Sequence, residues 1–121
     1  MPRVIHFEVC ADDPERAVRF YQEAFGWDIR KWNGPMAYWL VQTGEAPEPG
    51  INGAIMERMP GVGTVNTVEI HNLEEALEKV KEAGGNQLGS IQQIPDVGRF
   101  SYVLDSEGNP LGLMEPISEA V

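Results

Sequence analysis

Apolar and polar positions alternate along residues 4–9, with Ile5, Phe7 and Val9 on one side of an extended segment and Val4, His6 and Glu8 on the other. Asp13 followed by Pro14 then predicts a helix start. The carboxylate can accept the free amides of a first turn, and proline at the first helical position gives up no intrahelical hydrogen bond. Ala17, Phe20, Tyr21, Ala24 and Phe25 recur at helical spacing, and Gly26 stops the helix. One face of the strand is thereby committed to a helix. The other, carrying His6 and Glu8, must look at something else.

Further along, residues 27–33 and 36–43 read as two strands joined by a turn at Asn33-Gly34-Pro35. The acidic stretch 43–50 reads as a turn rather than a lid, and 51–59 resumes a strand before the linker Pro60-Gly61-Val62-Gly63. A strand at 65–70 leads to Asn72 and Glu75, which have the spacing of a capping box. Leu73, Ala76, Leu77, Val80 and Ala83 form a second helical stripe, ended by Gly84-Gly85. Strands follow at 86–94, 100–105 and 110–116, with a tight turn at Ser106-Glu107-Gly108-Asn109 and a frayed tail at 117–121. His71, at the junction before Asn72, reads as a surface or capping residue, and Asn66 as a turn or edge residue.

This order is strand, helix, three strands, twice over. Asp13 and Asn72 are 59 residues apart, as are Gly26 and Gly85, while the run 54–57 lies 58 residues before 112–115. Two copies are too few for a solenoid. The pattern instead predicts an α+β fold in one domain, residues 1–121, made of two pseudo-symmetric βαβββ modules at about 3–59 and 64–117. Each module curls its sheet around a space and covers the outer face with its helix.

Composition narrows the function classes. A formal net charge of -10 argues against nucleic acid and anionic membrane surfaces as partners. No apolar run approaches the roughly 20 residues of a membrane helix, and the first residues lack a secretory pattern. The single cysteine, Cys10, makes no internal disulfide and reads as buried packing. These features together predict a cytoplasmic protein.

Residues 6–27, 68–85 and 105–116 resemble, in that order, the vicinal oxygen chelate superfamily, the group of glyoxalase I, bleomycin-resistance proteins and extradiol dioxygenases. The resemblance implies paired βαβββ modules whose sheets form a U-shaped cavity, and a homodimer. In metal-dependent members four ligands face the cavity, one on the first and one on the last strand of each module. Carried onto this chain, the first-strand positions fall on His6 and Val65, and the last-strand positions on Ala54 and Gly112. A divalent metal needs lone pairs from imidazole, carboxylate or thiolate, generally three or four. Three of these four residues supply none.

The expectation is therefore a cofactor-free site. A divalent metal (Zn, Ni or Fe) would need substitutes, of which Glu57 with His6 is the first candidate. Alternation sets Glu57 with Ile55, away from Ala54 and Met56, and a one-residue register change would reverse that. Glu8 and Glu69 share the cavity faces of their strands. The expected pocket is lined by His6, Trp39, Ala54, Met56, Val65, Thr67, Phe100, Gly112 and Met114, with either Tyr38 or Trp39 turned inward. Two functions remain open. One is metal-free binding of a small, aromatic molecule, as in bleomycin-resistance proteins. The other is a lyase, isomerase or dioxygenase, either metal-dependent with displaced ligands or metal-free with His6 and Glu8 as the catalytic acid/base pair. His6 could equally be a wall residue hydrogen-bonded to Glu8.

Overall fold

Asp13 and Asn72 cap the two helices as their positions predict. Asp13 Oδ1 accepts from the Arg16 amide at 3.1 Å, and Asn72 Oδ1 from the Glu75 amide at 3.0 Å. The computed structural model describes residues 2–117, so that residues 118–121 of the expected frayed tail lie outside it. The elements are β1 (Arg3–Ala11), α1 (Pro14–Phe25), β2 (Asp28–Lys31), β3 (Tyr38–Gln42), β4 (Gly53–Glu57), β5 (Thr64–Glu69), α2 (Leu73–Glu82), β6 (Asn86–Ile94), β7 (Gly98–Leu104) and β8 (Pro110–Pro116). This is the expected α+β chain of two βαβββ modules. Strand ends move inward by one or two residues at β2, β3 and β4.

The chain divides into two compact units, Ile5–Val65 and, among the described residues, 66–117 with 2–4. In the first, the strand order is β2-β3-β4-β1, antiparallel except for the parallel pair β4 and β1. In the second, the order β6-β7-β8-β5 repeats this pattern, with β8 and β5 parallel. The register repeats as well. Phe7 opposite Gly53, Glu8 opposite Ala54 and Cys10 opposite Met56 become Asn66 opposite Leu111, Thr67 opposite Gly112 and Glu69 opposite Met114. These are the 59- and 58-residue offsets of the sequence, now seen as paired backbone.

Each helix lies on one face of its own sheet. In the first unit Ala11, Val41 and Ile55 are buried with Phe7, Val9, Ala17, Val18, Tyr21 and Trp39 packed around them. Gly53 permits this, because a Cβ there would strike the Phe7 carbonyl. The α1 stripe is only partly used: Tyr21 stacks on Trp27 at 5.1 Å, whereas Phe20 and Phe25 remain exposed. Gly26 ends α1 in the left-handed region at φ 69°, its amide donating to Gln22 O.

In the second unit Ile70, Leu73, Val103 and Leu113 form the buried centre, surrounded by Val68, Ala76, Leu77, Val80 and Leu111. Arg99 ties this unit's sheet to the start of α2. It donates to Glu74 at 2.7 Å and to Glu115 at 2.9 and 3.0 Å, while Glu115 also accepts from the Leu73 amide. Glu115 thereby satisfies one of the free amides of the first turn from another element. Cys10 is buried, as expected, and burial pushes its thiol pKa up.

Leu73 has no exposed surface, so truncation leaves a void that neighbours on three strands cannot close. Leu73→Ala is expected to lower the unfolding free energy by about 2–5 kcal/mol in urea titrations. Phe20→Ala, at a ring 58% exposed, is expected to change it by less than about 1 kcal/mol.

Candidate functional site

Residues opposite one another in register share a face. On the face of the first unit away from α1, β1 therefore carries His6, Glu8 and Cys10, β3 carries Tyr38 and Leu40, and β4 carries Ala54 and Met56. Tyr38 joins His6 to Glu8. Its hydroxyl donates to Glu8 Oε2 at 2.6 Å and lies 2.9 Å from His6 Nε2, and the two rings are near parallel, 12° apart. A phenol has one proton. Given to Glu8, it leaves only a lone pair for His6, so Nε2 must be the donor and Nδ1 carries the free lone pair.

Glu8 is 4% exposed, and a carboxyl so placed needs a strong donor to offset its lost hydration. Tyr38 is such a donor. Burial holds the His6 pKa below its ordinary 6.5, with the Glu8 charge pulling it part of the way back. The row is thus a neutral imidazole, a phenol and a carboxyl in hydrogen-bonded sequence. It can orient a ligand's polar atom, or pass a proton along its length.

Two expectations need correction. Trp39 is not on this face: it packs with Val41 and Ile55 on the α1 side, over which Lys31 lies 5.5 Å from the ring. Tyr38 takes the place expected of it. Glu57 is no partner for His6, since it sits opposite Ala11 at the far end of β1. Five residues of strand put it roughly 16 Å from His6 at about 3.3 Å per residue, on the other face.

In the second unit, the face away from α2 carries Thr67 and Glu69 on β5, Phe100 and Tyr102 on β7, and Gly112 and Met114 on β8. Phe100 and Tyr102 meet edge to face at 4.6 Å. A Cβ on Gly112 would stand 2.6 Å from Phe100 Cζ and 3.0 Å from Thr67 Oγ1, so the Phe100 ring occupies the place of a side chain at that position.

The residues present do not fit a metal at the four positions of the metal-dependent pattern. His6 alone offers a lone pair. Ala54 and Val65 are buried hydrocarbon, and Phe100 fills the space at Gly112. Among the described residues, no three His, Cys, Asp or Glu side chains gather closely enough to hold an ion. A separate cavity of about 420 Å³ lies on the α1 side, where Cys10, Asp12, Arg16, Phe20, Tyr21 and Arg58 line it. Its Arg58 is already bonded to Asp12 at 2.8 Å and to Val62 O at 2.9 Å.

Tyr38 is the site residue that alternation alone does not select. Its signal is conditional: a tyrosine on a strand that pairs β4 in the register placing it beside a His-x-Glu strand.

Compared with known proteins, residues 3–113 match the model of the Glyoxalase/Bleomycin resistance protein/Dioxygenase superfamily. A glyoxylase-like domain-containing protein of Didymella fabae is 32% identical over 109 residues, covering 84% of each chain. A putative glyoxylase of Mycobacterium tuberculosis is 26% identical over 113 residues. The match takes in 90% of this chain and only 42% of that protein. Among solved structures, methylmalonyl-CoA epimerase from M. tuberculosis aligns with a TM-score of 0.70 at 13% identity, over 95% of this chain and 88% of that one. A superfamily member from Vibrio splendidus aligns at 0.67 and 13% identity, over 97% and 100%. At these identities the structures share the fold.

Because the folded His6 pKa is depressed, the unfolded chain takes up this proton at a higher pH. The native state is then fully favoured above 6.5 and loses that advantage as pH falls through the folded value. Melting temperature is expected to decline from about pH 7 to about pH 5, and His6→Gln, which keeps a donor for Tyr38, should flatten the decline. The carboxylates act lower: Arg99 holds Glu74 at about 2, so its contribution is lost only below its ordinary 4.5. Calorimetry across the two windows separates them.

Proposed function

The chain belongs to the glyoxalase/bleomycin resistance protein/dioxygenase superfamily, and on that premise we propose that it is a metal-independent, glyoxalase-like domain that binds a small ring-bearing molecule. One observation carries this reading. Of the four positions where metal-dependent relatives place ligands, Ala54, Val65 and Gly112 offer hydrocarbon or nothing, and the Phe100 ring is packed against Gly112. Such a surface gains from apolar burial rather than from coordination. A two-ring compound covering roughly 200 Å² of apolar surface would gain about 5 kcal/mol before the cost of its lost freedom. On the first unit's own face, the row of His6, Tyr38 and Glu8 supplies few, fixed polar atoms of the kind that orient a ligand's polar group in apolar sites.

A second reading, proton transfer, is favoured by the Tyr38 bridge. A proton taken by His6 Nδ1 can be matched by the Nε2 proton moving to Tyr38 and the phenol proton moving to Glu8. The carboxyl gains one proton and no charge is left on the imidazole. Under this reading Tyr38→Phe lowers turnover and shifts its pH profile while sparing affinity.

Purified without added metal, the protein is expected to contain substoichiometric zinc, nickel and iron by plasma mass spectrometry. Its melting temperature should rise with 2-naphthol and not with those ions. One equivalent of metal that disappears in His6→Ala would end the metal-independent reading.

A further inference from the structure

The repeat offsets carry Glu8 onto Thr67 and Ala54 onto Gly112, and the pairing of Tyr38 with Met56 becomes that of Phe100 with Met114. In the first unit the ring at this place brings a hydroxyl to the β1 side chain. In the second the ring is phenylalanine, and the hydroxyl is missing. Thr67 is 2% exposed, and its Oγ1 has no hydrogen-bond partner among the described residues. A buried hydroxyl without a partner is unfavourable in the folded state, and any group that reaches it recovers that loss.

We propose that Thr67 Oγ1 is the polar contact of a ligand subsite and that Phe100 is the ring covering it in the absence of ligand. This rests on the reading of the chain as a small-molecule binder. Phe100 lies against the bare Cα of Gly112, within van der Waals reach of the strand, and turning it aside uncovers both Gly112 and the hydroxyl. The strand neighbours of Thr67 on this face are the Phe100 and Tyr102 rings, Gly112 and Met114, and the one charged group there, the exposed Glu69 two residues along β5, is a carboxylate that would repel an anion. The edge-to-face pair of rings offers flat apolar contact. The occupant is accordingly a planar, uncharged ring system bearing one hydroxyl or carbonyl.

Fluorescence titration with 2-naphthol and naphthalene tests this, since the pair differs by one hydroxyl. The wild-type protein is expected to prefer 2-naphthol by about fivefold to tenfold, the size of one neutral hydrogen bond. Thr67→Val should bind naphthalene unchanged and lose most of that preference, while Thr67→Ser keeps it. The ligand-free Thr67→Val protein should melt no lower than wild type, because the change removes an unmet hydroxyl. A preference retained in Thr67→Val, or equal binding of both probes by wild type, overturns the subsite and leaves the binder reading standing. Failure of wild type to bind either compound overturns both.

Discussion

The parallel pairing of β1 with β4, and of β5 with β8, decides what each sheet shows on the face away from its helix. A slip of one residue between β4 and β1 would turn Ala54 and Met56 toward α1 and bring Ile55 and Glu57 beside His6 and Glu8. The slip is prevented by burial. Ile55 is 1% exposed among Ala11, Val41 and the residues of α1, and the slip would take it out of that core and leave the smaller Ala54 in its place. Hydrophobic packing on one face thus fixes the chemistry of the other.

That constraint also explains how a buried carboxyl is tolerated at Glu8. Alternation leaves the residue no choice of face once Phe7 and Val9 are committed to α1. The register of β3 against β4 then sets Tyr38, not Trp39, over the same face, so a phenol stands where a donor is needed. Buried polar groups of this kind are stable when every member is bonded and unfavourable when one is missing. The first unit satisfies the condition at Tyr38; the second does not satisfy it at Thr67.

Much of this was legible in the chain. The helix caps at Asp13 and Asn72, the stop at Gly26, and both repeat offsets are local or arithmetical, and the backbone follows them. The face of β3 was not legible, because Ala37, Trp39 and Val41 alternate with Met36, Tyr38 and Leu40, and both sets are apolar enough to face a core. Only packing against Ile55 and α1 breaks the tie. Tyr38 depends further on residues some thirty positions earlier, a relation no window of sequence contains. Phe20 and Phe25 show the opposite failure. Helical spacing marks them as buried, but α1 already covers its sheet with Ala17, Val18 and Tyr21, and the outer rings stay exposed.

Two modules with one backbone plan have therefore come to present different surfaces. Where the first has imidazole, carboxyl and phenol, the second has isopropyl, hydroxyl and phenyl, position for position. The substitutions are coupled, since a carboxyl at Thr67 beside a phenyl at Phe100 would be buried without the donor that Glu8 receives. Where the phenol is absent, threonine presents one small uncharged polar atom in place of the carboxyl, and its β-branch suits a strand. The second module presents Thr67 and the Tyr102 ring where the first presents Glu8 and Leu40, and the unmet Thr67 hydroxyl is what gives it a chemistry of its own.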